Sequence, residues 1–134
     1  MQNKIVARYQ DGRILRGFTV DFLPAKPHFH LTPTEAFQPS EVIEVRVADL
    51  KAIFFVKDLT GRAQPYNRRK EFDPEKPAPG RRIRVVFKDQ ELLVGTTQGF
   101  DRTRPGFFVF PADNEENNDR VFVVTAATQQ VSFI

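Results

Sequence analysis

Residues 6–22 read VARYQDGRILRGFTVDF, and residues 84–101 read RVVFKDQELLVGTTQGFD. With a shift of 78 residues, nine of the thirty positions in 4–33 are identical to those in 82–111 without a gap. The identical pairs are Ile5 and Ile83, Asp11 and Asp89, Leu15 and Leu93, Gly17 and Gly95, Thr19 and Thr97, Phe22 and Phe100, Pro27 and Pro105, Phe29 and Phe107, and Pro33 and Pro111. Apolar alternation alone would not also align Asp, Gly, Thr and Pro, so we infer an internal repeat of about 55 residues.

Each copy of the repeat is predicted to contain five short strands, because short alternating apolar runs are separated by turn residues. The predicted strands are Lys4–Tyr9, Ile14–Phe22, Phe29–Thr32, Val42–Val47 and Ala52–Lys57, then Arg82–Lys88, Leu92–Phe100, Phe107–Phe110, Arg120–Val124 and Gln130–Ile134, and Ala48–Lys51 reads as one helical turn. Ten Pro and fourteen Phe among 134 residues also favour sheet over long helices.

Turn and glycine signals support the same assignment. Asp11-Gly12 suits a hairpin turn that needs positive φ, and Asp89-Gln90 is a weaker version of it. Gly17 and its counterpart Gly95 lie inside long strands, which indicates a bulge, a bend or a close approach of two backbones. Towards the end of each copy, after a loop of slightly different length, Val45-x-Val47 is aligned with Val121-x-Val123, and Ile53-x-Phe55 with Val131-x-Phe133.

The stretches Val6–Phe22 and Arg84–Asp101 resemble the first half of an Sm motif, and the strand order resembles SH3-like and Sm-like barrels. This resemblance implies an all-β fold of two tandem, five-stranded SH3-like/Sm-like small barrels packed together. The predicted parts are a first barrel over 1–57, a Pro-rich basic linker over 58–80 and a second barrel over 81–134.

The RNA-binding positions of the Sm family are not matched. Where that family has an Asn after its Phe-Asp pair, this chain has Pro24–Pro27 or Arg102–Pro105. Where it has an Arg-Gly pair, this chain has Ala48–Lys51 or Thr125–Thr128. The chain also resembles an uncharacterised bacterial family of tandem β units that can accompany signalling domains such as PilZ or response-regulator receivers, which implies a regulatory setting.

Several strands are apolar on both faces, although a strand with one face in water should alternate. Contiguous exposed phenylalanines would form an unusually large apolar patch. We therefore expect four of them to lie between the barrels or between subunits. They are Phe54, Phe108, Phe110 and Phe122.

The linker is the most basic part of the chain. Eight positive residues and four negative ones lie between Lys57 and Arg82, whereas Asp113–Asp119 carries four negative charges and no positive one. Aromatic residues beside basic ones can stack on bases and neutralise phosphates, although a solvated linker explains them more simply. The candidate contacts to a partner or to nucleic acid are Tyr66, Arg68, Arg69, Lys70, Phe72, Arg81 and Arg82.

Most chemistry is excluded by composition. There is no cysteine, no nucleophile-elbow pattern around Ser40 or Ser132, and no phosphate-binding glycine loop. His28 and His30 point the same way on one strand, but two ligands do not make a catalytic metal site, so surface histidines are the simpler interpretation. We therefore expect no enzyme activity, no cofactor and no metal.

The sequence favours a binding or adaptor module. We expect a cytoplasmic protein without a signal peptide or membrane-spanning segment. Its partner is expected to be a protein, in bacterial regulation or signalling, through an open strand edge, the Phe-rich strands or the linker. Binding of single-stranded RNA or DNA through the linker is the alternative, and association between copies of the chain is a further option.

Overall fold

Strands lie where the apolar alternation predicts them. The computed structural model describes residues 2–34, 42–57, 59, 80–112 and 118–134, and these contain ten strands and two 3-10 turns. The strands are β1 (Asn3–Tyr9), β2 (Ile14–Thr19), β3 (His28–Pro33), β4 (Ile43–Arg46), β5 (Leu50–Val56), β6 (Arg81–Phe87), β7 (Leu92–Thr97), β8 (Gly106–Pro111), β9 (Asn118–Val124) and β10 (Thr128–Phe133). The 3-10 turns are Val47–Asp49, before β5, and Thr125–Ala127, before β10.

Corresponding elements in the two parts of the chain are separated by a constant 78 residues. This offset relates β1 to β6, β2 to β7, β3 to β8 and the two 3-10 turns. We call β1–β5 the first half, β6–β10 the second half, and residues 78 apart equivalent. Phe29 pairs with Val45 and Phe107 with Val123, so Val45 is equivalent to Val123. The alignment of Val45 with Val121 is therefore wrong by two residues, because the offset continues without a gap.

The two hairpin turns differ as their sequences predict. In the first, the Asp11 carboxylate accepts the Arg13 backbone N–H at 3.0 Å, and Gly12 has φ +97°. In the second, Gln90 takes the equivalent place with φ 77°, a region that side chains disfavour.

Gly17 and Gly95 mark close approaches between neighbouring strands. A Cβ at Gly17 would lie 2.1 Å from the Thr32 carbonyl oxygen, and one at Gly95 would lie 2.2 Å from that of Phe110. Of the three explanations for these glycines, close approach of backbones is confirmed. β2 ends at Thr19 rather than Phe22.

The ten strands form one antiparallel sheet in the order β10-β6-β7-β8-β9-β5-β1-β2-β3-β4. The all-β prediction is confirmed. The halves share a single hydrogen-bonded sheet because β5 pairs with β1 on one side and with β9 on the other. Among the described strands the sheet does not close, and β4 and β10 are its two edges.

Two apolar cores lie on opposite faces of β5 and β9. The first core is built mainly from β1, β3, β4 and β5 and also takes Phe122 and Val124 of β9. The second is built mainly from β6–β9 and also takes Ala52, Phe54 and Val56 of β5. β5 and β9 are therefore apolar on both faces because each serves as a wall for both cores.

Candidate partner-binding surfaces

β5 and β9 form a two-stranded ribbon that joins the halves, with Ile53 opposite Phe122 and Phe54 opposite Val121. We call it the junction ribbon. Two of the four phenylalanines predicted at an interface, Phe54 and Phe122, are buried on this ribbon. Phe108 packs from β8 onto the first core, and its ring centroid lies 5.2 Å from that of Phe122. Phe110 is half-buried and lines the cavity described below. A role for these residues between subunits stays a prediction.

The rings of the first core form the first aromatic cluster. It consists of Phe22, Phe29 and Phe55 from the first half and Phe108 and Phe122 from the second. The centroid of Phe22 lies 5.4 Å from Phe29 and 5.0 Å from Phe122, in the edge-to-face arrangement that aromatic pairs favour. The second half thus completes a cluster that the first half begins.

The second half begins an equivalent cluster, which the described residues leave incomplete. The second aromatic cluster consists of Phe100, Phe107 and Phe133, at the positions equivalent to Phe22, Phe29 and Phe55. Phe100 lies 4.6 Å from Phe107 and 6.3 Å from Phe133 between ring centroids. Phe133 remains 41% exposed, whereas Phe55 is 5% exposed. The repeat alignment contained this signal, but sequence reasoning considered only strands that are apolar on both faces.

β10 is the edge strand beside the second aromatic cluster. Within the described part of the chain it is hydrogen-bonded to β6 alone. The Ile134 N–H donates to the Arg82 carbonyl oxygen at 3.1 Å. Because backbone groups alternate in direction along an antiparallel strand, those of Val131 and Phe133 point away from β6. β10 therefore presents hydrogen-bonding groups along an open edge.

A cavity of about 510 Å³ lies at the seam between the halves, and we call it the seam cavity. Its apolar wall is mostly aromatic. The wall consists of Pro24, Phe100, Phe107, Phe108, Phe110 and Phe122. Pro24 comes from the first half and the other lining residues come from the second, so the cavity is built mainly by the second half.

Three charged residues line the seam cavity. The Arg120 guanidinium lies 4.4 Å from the Phe55 ring centroid and 4.8 Å from that of Phe108. Arg104 lies 3.9 Å from the Asp101 carboxylate. Hydrogen bonds from the Thr103 hydroxyl and backbone N–H lower the pKa of Asp101, so this carboxylate is ionised at neutral pH. The charges in the lining are two positive and one negative.

The histidines belong to a hydrogen-bonded cluster on the first half. The Asp21 carboxylate lies 2.6 Å from His30 Nδ1 and accepts the His30 backbone N–H and the Thr19 hydroxyl. Burial acts to raise the pKa of Asp21, but these hydrogen bonds outweigh it and lower that pKa. His28 Nε2 lies 3.9 Å from the Glu44 carboxylate. Among the described residues no group of three or more His, Cys, Asp or Glu side chains is arranged to hold a metal ion.

A buried cation crosses the seam at β5, which sequence reasoning missed because it placed Lys51 in a helical turn. Lys51 is 7% exposed. Its Nζ donates to Asp89 at 2.7 Å and to Glu91 at 3.1 Å, and it lies 4.7 Å from the Phe87 ring centroid. Arg8 lies 3.9 Å from the other oxygen of Glu91.

Of the residues predicted to contact nucleic acid or a partner, Tyr66, Arg68, Arg69, Lys70 and Phe72 lie outside the described residues. Arg81 and Arg82 lie on β6. The Arg81 guanidinium is 3.8 Å from the Phe133 ring centroid, so it stacks on the second aromatic cluster. The nucleic-acid interpretation stays a prediction. No helix in the described ranges is long and apolar enough to cross a membrane.

One family model matches the chain over residues 1–134, and its description is a family of unknown function (DUF6982). No curated protein and no solved structure matches the chain. The surfaces above are therefore interpreted from their own geometry.

Proposed function

The chain belongs to the DUF6982 family, and from its geometry we propose that it is a non-catalytic module that binds an extended segment of a partner protein along β10. The observation that carries this proposal is the junction ribbon. Within one chain, β9 already lies along β5, and β5 is the strand equivalent to β10. The molecule thus contains an example of the complex that its open edge would form.

The junction ribbon indicates what such a segment must present. Phe122 of β9 lies opposite Ile53 and inserts into the first aromatic cluster. The residue equivalent to Ile53 is Val131, so the partner needs an aromatic or large apolar side chain opposite Val131. That side chain would cover Phe133 and complete the second aromatic cluster.

The other face of the added strand should be polar. Ala52 and Phe54 of β5 contribute to the second core. Their equivalents on β10 are Gln130 and Ser132, which cannot line an apolar core. The partner segment is therefore expected to alternate apolar and polar residues, as edge-strand ligands do when pockets select alternate side chains.

The proposed function also includes the cellular location and the regulatory role that the sequence predicts. We propose a cytoplasmic bacterial protein that acts in regulation or signalling, in a family that sometimes accompanies PilZ or receiver domains, with halves similar to SH3-like or Sm-like barrels. The absence of enzyme activity is part of the proposal too. The hydrogen-bonded pair of Asp21 and His30 lies at the surface and not in the seam cavity.

A peptide selection tests the proposal. A random linear peptide library selected on the immobilised full chain should enrich peptides with aromatic and polar residues in alternation. Phe133→Ala should weaken the best peptide roughly tenfold or more, because truncating a central aromatic contact typically costs over 1 kcal/mol. Ile14→Ala is the matched control, since Ile14 is an apolar residue of similar exposure, 47%, on the other half.

Backbone methylation of the selected peptide tests the binding mode. Strand addition uses the N–H groups of alternate residues, so N-methylation of one alternating set should abolish binding while the other set is tolerated. Peptides that bind the Phe133→Ala variant as tightly as the parent chain, or that tolerate both methylation patterns, would contradict the proposal. Enrichment no higher than on an unrelated protein would contradict it as well.

A further inference from the structure

The seam cavity is a second surface, which shares Phe100 and Phe107 with the second aromatic cluster but has no β10 residue in its lining. We propose that it binds a small planar aromatic anion. Its volume, about 510 Å³, falls within the range of roughly 300–1,000 Å³ that is common for small-molecule sites. Of the phenylalanine rings in the lining, Phe100, Phe108 and Phe110 are half-buried and offer faces or edges on which a planar ring system can stack.

Charge selects an anion over a neutral or cationic ring. Asp101 accepts hydrogen bonds from Thr103 and lies 3.9 Å from Arg104, so the two arginines outweigh its charge. Arg120 contacts ring faces of Phe55 and Phe108, and no carboxylate among the described side chains forms an ion pair with it. A guanidinium held against rings is preorganised to donate hydrogen bonds to a carboxylate or a sulfonate.

Comparison of the halves shows how the cavity arises. In the first half, Asp21 and His30 form a hydrogen-bonded pair supported by Thr19. Their equivalents in the second half are Gly99 and Phe108, both in the cavity lining. The carboxylate is thus replaced by empty space and the imidazole by an apolar ring. A Cβ built at Gly99 meets no atom within 4 Å, so this space is open.

The same equivalence supplies a sharp variant. Gly99→Asp restores the carboxylate of the first half in a place with room for it, and the φ angle of Gly99 lies outside the positive region that strains other residues. Gly99→Asn adds nearly the same volume without charge. The two variants therefore separate electrostatic repulsion from simple filling of the cavity.

The probes are 8-anilinonaphthalene-1-sulfonate and its uncharged relative N-phenyl-1-naphthylamine, titrated against the full chain by fluorescence. The sulfonate should bind with one-to-one stoichiometry and at least about tenfold more tightly than the neutral probe. Gly99→Asp should weaken the sulfonate by roughly tenfold more than Gly99→Asn does. Arg120→Gln should weaken the sulfonate and leave the neutral probe nearly unchanged.

Several outcomes would overturn the inference. Equal affinity for the two probes would show that the cavity selects apolar ligands and not anions. Equal loss of sulfonate affinity in Gly99→Asp and Gly99→Asn would show that charge has no role. Sulfonate binding that is unchanged by every variant would show that the probe binds outside the seam cavity. Phe133→Ala should leave sulfonate binding intact and Gly99→Asp should leave peptide binding intact, so failure of this inference is distinguishable from failure of the proposed function. Unfolding midpoints in urea confirm that each variant is folded.

Discussion

Lys51 is a charged side chain on a strand whose other members are apolar and buried. Its two acceptors, Asp89 and Glu91, come from the hairpin between β6 and β7. The equivalent of Lys51 is Gln129, and the equivalent of Glu91 is Arg13, which pairs with Asp11 at 2.8 Å instead. This set of charges can therefore form only once, across the seam, and it fixes which face of β5 meets the second half.

Removing the partners of Lys51 should cost more stability than removing Lys51. The Lys51 side chain is 8% exposed, whereas those of Asp89 and Glu91 are 55% and 31% exposed. Asp89→Asn with Glu91→Gln strands a buried cation, which typically costs about 3–5 kcal/mol of unfolding free energy. Lys51→Met leaves two carboxylates that regain water, so we expect a loss of about 1 kcal/mol. Urea unfolding at pH 7 measures both, and the reverse order would contradict this interpretation.

The same contact predicts a dependence on acid. The hydrogen bond from Lys51 lowers the pKa of Asp89, and burial opposes it. Because the folded pKa lies below the unfolded value, the stabilisation is complete above the unfolded pKa, near 3.9, and is lost as the pH falls through the folded pKa. The stability difference between the parent chain and Lys51→Met should therefore shrink from pH 6 towards pH 2. Urea unfolding measures this difference in unfolding free energy. A difference that stays constant over this range would show that the contact with Asp89 does not stabilise the fold.

The hairpin between β6 and β7 contains backbone strain that the hairpin between β1 and β2 avoids. Gln90 has φ 77° where its equivalent, Gly12, has φ +97°. A side chain in this region typically costs about 1 kcal/mol. Gln90 recovers part of this through an exposed hydrogen bond to Gln129 at 3.2 Å.

Exchanging the turn residues tests this cost. Gln90→Gly should raise the free energy of unfolding by about 0.5–1 kcal/mol, and Gly12→Gln should lower it by a similar amount. Equilibrium urea unfolding is the measurement, and Gln129→Ala in both backgrounds shows how much the side-chain hydrogen bond contributes. Destabilisation by Gln90→Gly would mean that this hydrogen bond outweighs the backbone strain.

The elements that the sequence predicted well are those with local causes. Alternation placed the ten strands, Asp-Gly predicted the first hairpin, and Gly17 and Gly95 indicated close backbone approach. The pairing of β5 with β9 has no local signal, since its residues are nearly 70 positions apart in the chain. The apolar residues on both faces of β5 and β9 indicated that both faces are buried, but they did not indicate which strands bury them. The seam cavity was missed for the same reason, because nothing local in the sequence shows that the β7–β8 loop, β8 and β9 meet around one space.

The constant offset also relates the two edges of the sheet to the two strands of the junction ribbon. The free edges of the sheet are β4 and β10, and these are equivalent to β9 and β5, the two strands of the junction ribbon. The geometry would allow β4 of a second copy to pair with β10, as β9 pairs with β5 within one chain. Three residues of the second half pack into the first core at this kind of contact, namely Phe108, Phe122 and Val124. Their equivalents are His30, Glu44 and Arg46, so such a contact would bury polar and charged side chains where the junction has apolar ones.

We therefore expect the parent chain not to assemble head to tail, and a variant that restores the apolar residues to do so. His30→Phe on β3, with Glu44→Phe and Arg46→Val on β4, makes these two strands resemble β8 and β9. A contact between two different edges is heterologous and propagates unless it closes into a ring, so the triple variant should form oligomers that grow with concentration. Light scattering after size exclusion measures this. Adding Phe133→Asp charges the receiving edge and should return the triple variant to monomers. A folded triple variant that stays monomeric at high concentration, or head-to-tail oligomers of the parent chain, would contradict the equivalence of the two edges, and strand addition at β10 would lose its main support.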